Sequence, residues 1–557
     1  TSIEGNAALV IWTTTPWTLP ANTGIALNPE EKYVRTSDGY IVAQKLYDQM
    51  IEQEVVKGEV VQTFDATVFD KLHTINPLNG RASQIVLGEH VLMENGTGCV
   101  HTAPGHGEDD YRVGLKYNLE VVMPVDETGC YDETVVKEKL LPNPEEFVGK
   151  HIFKCNETIN ELLGDRLLKV SKFIHSYPHC WRSHTPLIFR ATKQWFISVD
   201  DKPNGEEKTL REIAQDEVAK TAFFPETGRK RLTSMVQNRP DWCISRQRDW
   251  GVPIAFFRVK ATGEVLLDEK VLNFTAMIFE MQGSDAWYSM PIEQLMYPGS
   301  GYKAEELEKV TDILDVWFDS GSTWNSVLKS RNYDAGKYQA DLYLEGSDQH
   351  RGWFQSSLFL SAAVEHKAPY KALLTHGFTV DGKGEKMSKS KGNVIAPEKV
   401  IKEYGSEILR LWVALSDYQT DLKISDDILK QTAEQYRKIR NTFRFLMANI
   451  DDLDAILAYE DLGVMDQWIV SKASIVCDDA HGLFDEYNYV QGMSVITNFI
   501  VNELSGIYLA VTKDSLYCDA KDSKTRRGAQ SAMAIILKPL LLLLAPVLTY
   551  TADEILE

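Results

Sequence analysis

The chain has no pair of cysteines spaced C-x-x-C. Its seven cysteines stand apart at positions 99, 130, 155, 180, 243, 477 and 518. That leaves neither a disulfide framework nor a cysteine-rich zinc site, and a reducing cytoplasm is the compartment expected. No apolar run reaches about 18 residues, so no stretch reads as a membrane span and no membrane partner is expected. The richest run, Leu540 to Leu544, stands between Pro539 and Pro546 and reads as a buried helix. The N-terminus, Thr1-Ser2-Ile3-Glu4-Gly5, has neither a basic region nor an apolar core, so it is no signal peptide. It also has no initiator Met, which suggests a fragment or a processed chain. Internal repeats and low-complexity tracts are missing. Positive charge is scarce: 59 Lys and Arg stand against 80 Asp and Glu, a formal net charge of −21. Any nucleic-acid partner must therefore be met by local basic patches against an unfavourable overall field.

What is present is enough for about three or four domains, since 557 residues exceed what one hydrophobic core organises. With 44% hydrophobic and 25% charged residues, the chain has a globular composition. From about 7 to 131 the text is strand-like: Ala8-Leu9-Val10-Ile11-Trp12, Tyr40-Ile41-Val42-Ala43, Ile85-Val86-Leu87 and Gly98-Cys99-Val100. Turn residues punctuate it at Asn28-Pro29, Asn79-Gly80 and Asn95-Gly96. From about 142 to 240 strands and helices mix. Further on, the run Asp341 to Gly346 reads as a strand, Trp353 to Val364 as a helix, and Tyr370 to Gly377 as a second strand. Strand–helix–strand with polar residues at the carboxyl ends of strands is how an open parallel sheet presents a nucleotide site. From about Ser406 onward the reading is almost entirely helical, with Ile408, Leu409, Leu411, Trp412 and Leu415 at helical spacing.

The densest chemistry lies in Lys386-Met387-Ser388-Lys389-Ser390, between Gly382-Lys383-Gly384-Glu385 and Lys391-Gly392-Asn393. Lysine ammoniums neutralise polyphosphate as mobile point charges. Glycines let the backbone close over a ligand. A loop of this kind suits a triphosphate whose charge moves onto leaving pyrophosphate. By itself it could equally be a solvated basic turn.

The loop resembles the KMSKS signature of class I aminoacyl-tRNA synthetases. Three further stretches are similar to the isoleucine-specific branch, bacterial type: Asp315-Val316-Trp317-Phe318-Asp319-Ser320-Gly321, the run Tyr343 to Phe354, and Trp242-Cys243-Ile244-Ser245-Arg246-Gln247-Arg248. The resemblance implies a multidomain α/β fold. Its parts are a β-rich editing insertion, the second half of a class I Rossmann-like nucleotide-binding fold, and an α-helical anticodon-binding bundle. The implied domains are 1–150 (editing), 151–240 (remainder of the insertion and return stalk), 241–385 (second catalytic half), 386–430 (KMSKS loop and stem-contact fold) and 431–557 (anticodon-binding bundle, truncated). It implies ATP-dependent activation of isoleucine, with magnesium, and transfer to the tRNA for isoleucine by a monomer. Lys386 and Lys389 would be catalytic. Glu345, Gly346, Asp348, Gln349, His376, Gly377 and Lys389 would bind ATP and the adenylate. Trp317 and Trp353 would wall the amino-acid pocket, although a tryptophan is more often plain core.

A second constellation lies near the N-terminus, in Thr13-Thr14-Thr15-Pro16-Trp17-Thr18-Leu19-Pro20-Ala21-Asn22 and His101 to Tyr111. These runs resemble the two halves of the family's editing pocket. Isoleucine and valine differ by one methylene, worth only ~1–3 kcal/mol, so a second sieve must hydrolyse valyl-tRNA. Asp110 suits the substrate ammonium, Thr14 and Thr15 the size limit, and His101 the side-chain wall or the terminal adenosine. Thr13, Trp17 and Asn22 complete the implied set. With no Ser-His-Asp arrangement, hydrolysis would rest on positioning.

His175, His179, Cys180 and His184 fall close together, but Ser183 stands where a second cysteine would complete a zinc set, so no metal site is expected. Zinc is expected only in a C-terminal segment that the family carries beyond this stretch. Arg437, Arg440 and Arg444 share one helix face, with Lys430 and Lys438 near. By the resemblance they would track tRNA phosphates; a solvated face is the plainer reading. Arg229-Lys230-Arg231 and Arg526-Arg527 are weaker candidates of the same kind. The family's HIGH-type motif is not found, so an internal fragment is expected, with little adenylation activity alone but retained deacylation. Two alternatives stand beside this reading: the related valine ligase and a stand-alone tRNA deacylase.

Overall fold

A computed structural model describes residues 7–172, 174, 176–180, 183–203, 205–330 and 338–557. The chain divides into two compact units, Thr1–Lys193 and Gln194–Glu557.

The first unit is built on two four-stranded sheets. One orders its strands His73–Ile75, Ala82–Leu87, Gly24–Leu27 and Cys99–Thr102. Gly24–Leu27 runs parallel to Ala82–Leu87 and antiparallel to Cys99–Thr102, with Gly24 opposite Gln84 and Thr102. The other orders Ala8–Leu9, Tyr40–Ala43, Lys32–Thr36 and Val60–Asp65. Alternation along a strand sends side chains to opposite faces. Accordingly Ile25 and Leu27 join Tyr33, Ile41, Phe69 and Ile85 in a core between the sheets. Ala26 packs on the other face with Val86, Val91 and Val113 of the helix Glu108–Tyr117. That helix starts with three acids, which its N-terminal dipole favours, and ends at Asn118 in a left-handed conformation. A third cluster gathers Trp17, Tyr131, Phe147 and Ile159 around the 3-10 helix Pro16–Ala21.

The second unit contains a three-stranded, all-parallel sheet ordered Ala222–Phe224, Ala372–His376, Tyr343–Gly346. The helix Trp353–Glu365 connects the last two strands and lies against the sheet with Phe354, Leu358 and Phe359 buried. Residues 257–309 form a small antiparallel sheet closed by Trp287, whose indole N–H donates to the Val310 carbonyl at 2.8 Å. After residue 406 the chain is mainly helical, and Leu422–Ile424 pairs in parallel with Thr379–Asp381 as a separate two-stranded sheet.

The helix Asp426–Ile450 begins at Ser425, whose hydroxyl accepts from the Ile428 N–H. It buries Leu429, Ile439, Phe443 and Leu446 at helical spacing. Together with Val464–Asp485, the run Tyr489–Cys518 and Lys524–Leu544 it encloses the largest core. Truncating a buried aromatic there, such as Phe443, costs about 3–5 kcal/mol. Tyr489–Cys518 and Lys524–Leu544 are long and apolar enough to cross a membrane, but their apolar side chains form this bundle core. The leucine run is a buried helix as expected, but the helix begins before Pro539 and continues through it: Pro539 faces solvent, while Leu540, Leu541, Leu543 and Leu544 pack inward.

Candidate functional site

Two constellations take shape, one in each unit. In the second unit the parallel register sets Gly346 opposite His376 and Glu345 opposite Thr375. The carboxyl ends of two neighbouring strands thus open side by side, the position where parallel sheets bind ligands. Glu345 is exposed there. An added Cβ at Gly346 would stand 2.7 Å from Asp348 Oδ1, so the Asp348 carboxylate sits close over the turn. Gln349 Oε1 accepts from the Trp353 N–H at 3.0 Å, capping the helix, and its amide N–H donates to Asp348 at 3.2 Å. His376 Nδ1–H donates to the Gly377 carbonyl at 2.8 Å, which leaves Nε2 as the acceptor it presents. Beneath the turn, His350 is buried and donates from Nδ1 to the Ser347 carbonyl at 2.8 Å.

Trp353 stacks on Tyr343, with ring centroids 4.0 Å apart and 7° between planes, and its indole N–H donates to the Ser320 carbonyl. It is therefore held against the core. Trp317 is 40% exposed, and its ring edge lies over Gly352, where an added Cβ would approach it to 2.9 Å. The two indoles thus flank the start of the helix Trp353–Glu365. Asp315, buried, caps the helix Val316–Gly321 and takes the Arg246 guanidinium at 2.9 Å. Burial, reinforced by Asp315, pushes the Asp319 carboxyl up to about 6.

The lysine loop is a tied hairpin. Asp381 Oδ1 accepts from the N–H groups of Lys383 and Glu385 at 3.0 and 2.8 Å. Its Oδ2 accepts from the Asn393 amide at 2.8 Å. Asn393 Oδ1 in turn accepts from the Ser388 N–H at 2.9 Å. These bonds, led by the one from Asn393, hold the Asp381 carboxyl below its usual range. Met387 packs into the core beside Ile395, and Lys391 pairs with Glu385 at 3.2 Å. Lys386 and Lys389 are exposed and have no ion-pair partner among the described residues. Asp381 and Asn393 escape a reading of the sequence by residue type; the Asp-Gly and Gly-Asn pairs flanking the lysines are the available signal.

In the first unit, the 3-10 helix Pro16–Ala21 folds the threonine run back on itself. Thr15 N–H donates to Thr13 Oγ1 at 3.0 Å, and Thr18 Oγ1–H to the Thr15 carbonyl at 2.8 Å. Asn22 Nδ2 lies 2.7 Å from both the Gly24 carbonyl and His101 Nδ1. The amide nitrogen donates, so Nδ1 accepts and the ring proton sits on Nε2, 2.9 Å from Thr18 Oγ1. The chain Asn22–His101–Thr18–Thr15 is thus polarised in one direction. Burial, reinforced by His106, pushes His101 down to about 3. His106 is also buried and pushed down to about 4, chiefly by burial. It donates from Nδ1 to the Phe189 carbonyl at 3.2 Å. Asp110 Oδ2 accepts from the Ala103 N–H at 2.9 Å, and burial raises this carboxyl.

The structure therefore brings Thr13, Thr15, Asn22 and His101 into one network through Thr18, and fixes Asp110 on the loop that leaves His101. Thr14 is exposed beside them. Trp17 is only 3% exposed and packs in the core, its ring edge-on to His106 at 4.9 Å. Of the expected histidine cluster, His175 lies outside the described residues. His179 donates from Nδ1 to the Tyr177 carbonyl. Among the described residues no group of three His, Cys, Asp or Glu side chains could hold a metal ion.

The basic candidates part company. Arg437 pairs with Glu434 at 2.9 Å and Arg440 with Glu554 at 3.6 Å, while Arg444 is exposed with no ion-pair partner among the described residues. Arg526 and Arg527 are not a free patch. They clamp Asp452 and Asp454, with side chains only 18% and 14% exposed. Arg229 is likewise spent on Glu226 and the carbonyls of Val218 and Ala219.

Comparisons with known proteins place the chain in a family. Residues 7–425 match the model of the tRNA synthetases class I (I, L, M and V), and residues 466–557 the anticodon-binding domain of tRNA ligase. The isoleucine–tRNA ligase of Sulfurimonas denitrificans is 74% identical over 556 residues, 100% of this chain and 60% of that protein. The corresponding ligase of a Nitratiruptor species is 68% identical over 555 residues, with the same coverage. The chain thus spans about 60% of the length of the curated relatives it matches. Among solved structures it is similar to Mycobacterium tuberculosis methionyl-tRNA synthetase bound by methionyl-adenylate, with 16% identity and a TM-score of 0.49 over 69% of this chain and 66% of that one. It is also similar to an Agrobacterium radiobacter LeuRS–tRNA–LeuAMS complex, with 18% identity and a TM-score of 0.46 over 98% of this chain and 58% of that one.

Proposed function

From a chain that belongs to the class I tRNA synthetases, we propose that the intact protein is an isoleucine–tRNA ligase. It activates isoleucine with ATP in the cytoplasm, as a monomer, passes the aminoacyl group to the tRNA for isoleucine, and hydrolyses valyl-tRNA made in error. The observation that carries the synthetic half is the opening of Glu345–Gly346 and His376–Gly377 side by side at two parallel strand ends. His376 Nε2 and the strand-end backbone take the adenine and ribose. Asp348 and Gln349, cross-linked to each other, shape the turn that receives the adenylate. Trp317 supplies an exposed apolar wall for the branched side chain, and Trp353, stacked on Tyr343, keeps that wall's base rigid.

The isoleucine carboxylate attacks the α-phosphorus of ATP, and the bond from that phosphorus to the α,β-bridging oxygen breaks, so the β- and γ-phosphates leave together as pyrophosphate. Lys386 and Lys389 neutralise the charge that moves onto the leaving group; both are exposed and have no ion-pair partner among the described residues. Magnesium supplies further charge neutralisation when it arrives with the triphosphate, ligated by phosphate oxygens and water.

In the first unit, Asp110 holds the ammonium of a misplaced valyl group through its free carboxylate oxygen. Thr14 and Thr15 limit side-chain size, and His101 fixes Thr18 and Asn22. The domain reading is 1–150 for editing, 151–240 for its stalk, 241–385 for the second catalytic half, 386–430 for the loop and stem contact, and 431–557 for the anticodon-binding bundle, where Arg444 is the freest phosphate contact.

Amino-acid-dependent ATP–pyrophosphate exchange by the intact protein tests the synthetic half. Isoleucine should support exchange at a kcat/KM about 10–200-fold above valine; a preference for valine overturns the reading. Asp110→Ala should abolish deacylation of valyl-tRNA for isoleucine while leaving exchange unchanged, and unimpaired deacylation removes Asp110 from the site.

A further inference from the structure

We propose that Tyr418 is a positioning residue that joins the nucleotide contact at His376–Gly377 to the helical bundle. The inference rests on the reading of that strand end as the nucleotide site. Beyond His376 the chain leaves its sheet and is held by the turn 417–421. Gly377 N–H donates to the Tyr418 carbonyl at 2.8 Å, and Phe378 N–H to Asp421 Oδ1 at 2.8 Å. The approach is so close that an added Cβ on Gly377 would stand 2.2 Å from the Thr420 carbonyl oxygen. The turn thus dictates where the strand end lies.

One side chain of this turn reaches a helix junction of the bundle. The Tyr418 hydroxyl donates to the Tyr487 carbonyl at 2.9 Å, and its ring centroid lies 6.1 Å from that of Tyr489. Tyr487 sits at the junction of the helices Val464–Asp485 and Tyr489–Asn498, in a left-handed conformation with φ 57°. A side chain other than glycine tolerates that conformation only where its surroundings enforce it. Here the Tyr487 ring packs at 4.6 Å on Phe224, the last residue of the edge strand Ala222–Phe224. One hydroxyl therefore links a helix junction of the bundle to the backbone of the nucleotide site, and the same junction touches the far edge of that sheet. Packing around the Tyr418 ring and the pairing of Thr379–Asp381 with Leu422–Ile424 do not need the hydroxyl. Its loss should loosen the turn without unfolding it.

The test uses Tyr418→Phe in the intact protein, with Tyr508→Phe as a control that removes a buried bundle hydroxyl elsewhere. Hydrogen exchange at the Gly377 and Phe378 amides should quicken about three- to tenfold in Tyr418→Phe, the scale of one hydrogen bond. Exchange across Tyr343–Glu345 should stay unchanged. In isoleucine-dependent pyrophosphate exchange the KM for ATP should rise by about the same factor, with kcat within about twofold. Tyr508→Phe should leave that KM unchanged. Unaltered amide exchange at Gly377 overturns the link. Quickened exchange with an unaltered ATP KM in an active enzyme overturns the positioning role, as does an equal KM rise in Tyr508→Phe. Absence of amino-acid-dependent exchange in the unsubstituted protein would instead count against the ligase reading, and the amide measurement would still decide the link.

Discussion

Lowering the pH from 8 to 5 should destabilise the first unit by about 4 kcal/mol. The cause is the pair His101 and His106, both buried in the folded state. His101 cannot take a second proton without a conflict, because its Nδ1 already accepts from Asn22. His106 would acquire a new N–H at Nε2, a buried atom with no hydrogen-bond partner to receive it. Their folded pKa values, about 3 and about 4, lie below the ordinary 6.5. In the window between, the unfolded chain binds protons that the folded chain refuses. Stability is therefore full above about pH 7 and falls as pH drops through 6.5. Each histidine removes ~1.4 kcal/mol per pH unit below 6.5 until its own folded pKa is reached, or about 2 kcal/mol by pH 5. Asp110, whose carboxyl is raised by burial, titrates in the opposite sense at the acid end of the window and softens the fall there. Urea titrations at pH 8, 6 and 5, read by hydrogen exchange of the Ile25 and Leu27 amides, isolate this unit from the rest of the chain. The double variant His101→Gln, His106→Asn removes both titrations while retaining amide donors near the ring N–H positions. A flat response between pH 7 and 5 in the unsubstituted protein would refute the reasoning, and so would an equal fall in the double variant.

Two other substitutions probe the second unit. Asp381→Ala deletes three bonds that close the lysine hairpin, so ATP-dependent pyrophosphate exchange should fall by about 10²-fold with deacylation untouched; a loss in both activities would instead indicate general damage. Tyr508→Phe removes the donor that reaches Asp466 Oδ1 at 2.6 Å inside the bundle. It leaves a buried acceptor underserved, at a cost of about 1–3 kcal/mol in urea titration of the helical region, and a stability change near zero would show that Asp466 finds another partner.

Much of the architecture could be read in advance where periodicity was strong. Tyr40–Ala43 is a strand as its short apolar run suggests, and the apolar run from Trp353 is a helix feeding a second parallel strand. The short patterns singled out for chemistry fall at strand ends and in glycine-rich turns, which are local features. What escaped depends on groups far apart in sequence. Nothing in Asp381 announces a bond to Asn393, nor in Tyr418 a bond to Tyr487. Arg526 and Arg527 look like a phosphate patch until Asp452 and Asp454 fold onto them. The helix through Pro539 defies local propensity because a solvent-facing proline gives up only an exposed backbone bond, while four buried leucines beyond it hold the helix together.

The strand Gly24–Leu27, packed on both faces, imposes an order on how the first unit is made. Its partners are Gln84 to Leu87 on one side and Cys99 to Thr102 on the other. As the chain leaves the ribosome, Ile25 and Leu27 emerge well before their partners and cannot be covered until residue 102 has followed. Contacts so distant along the chain close slowly, and the waiting segment is a sticky, unpaired strand. The threonine run beside it, whose geometry depends on Asn22 and His101, is therefore among the last parts of the unit to become competent. Chaperone dependence during synthesis should concentrate in the stretch from Gly24 to Thr102.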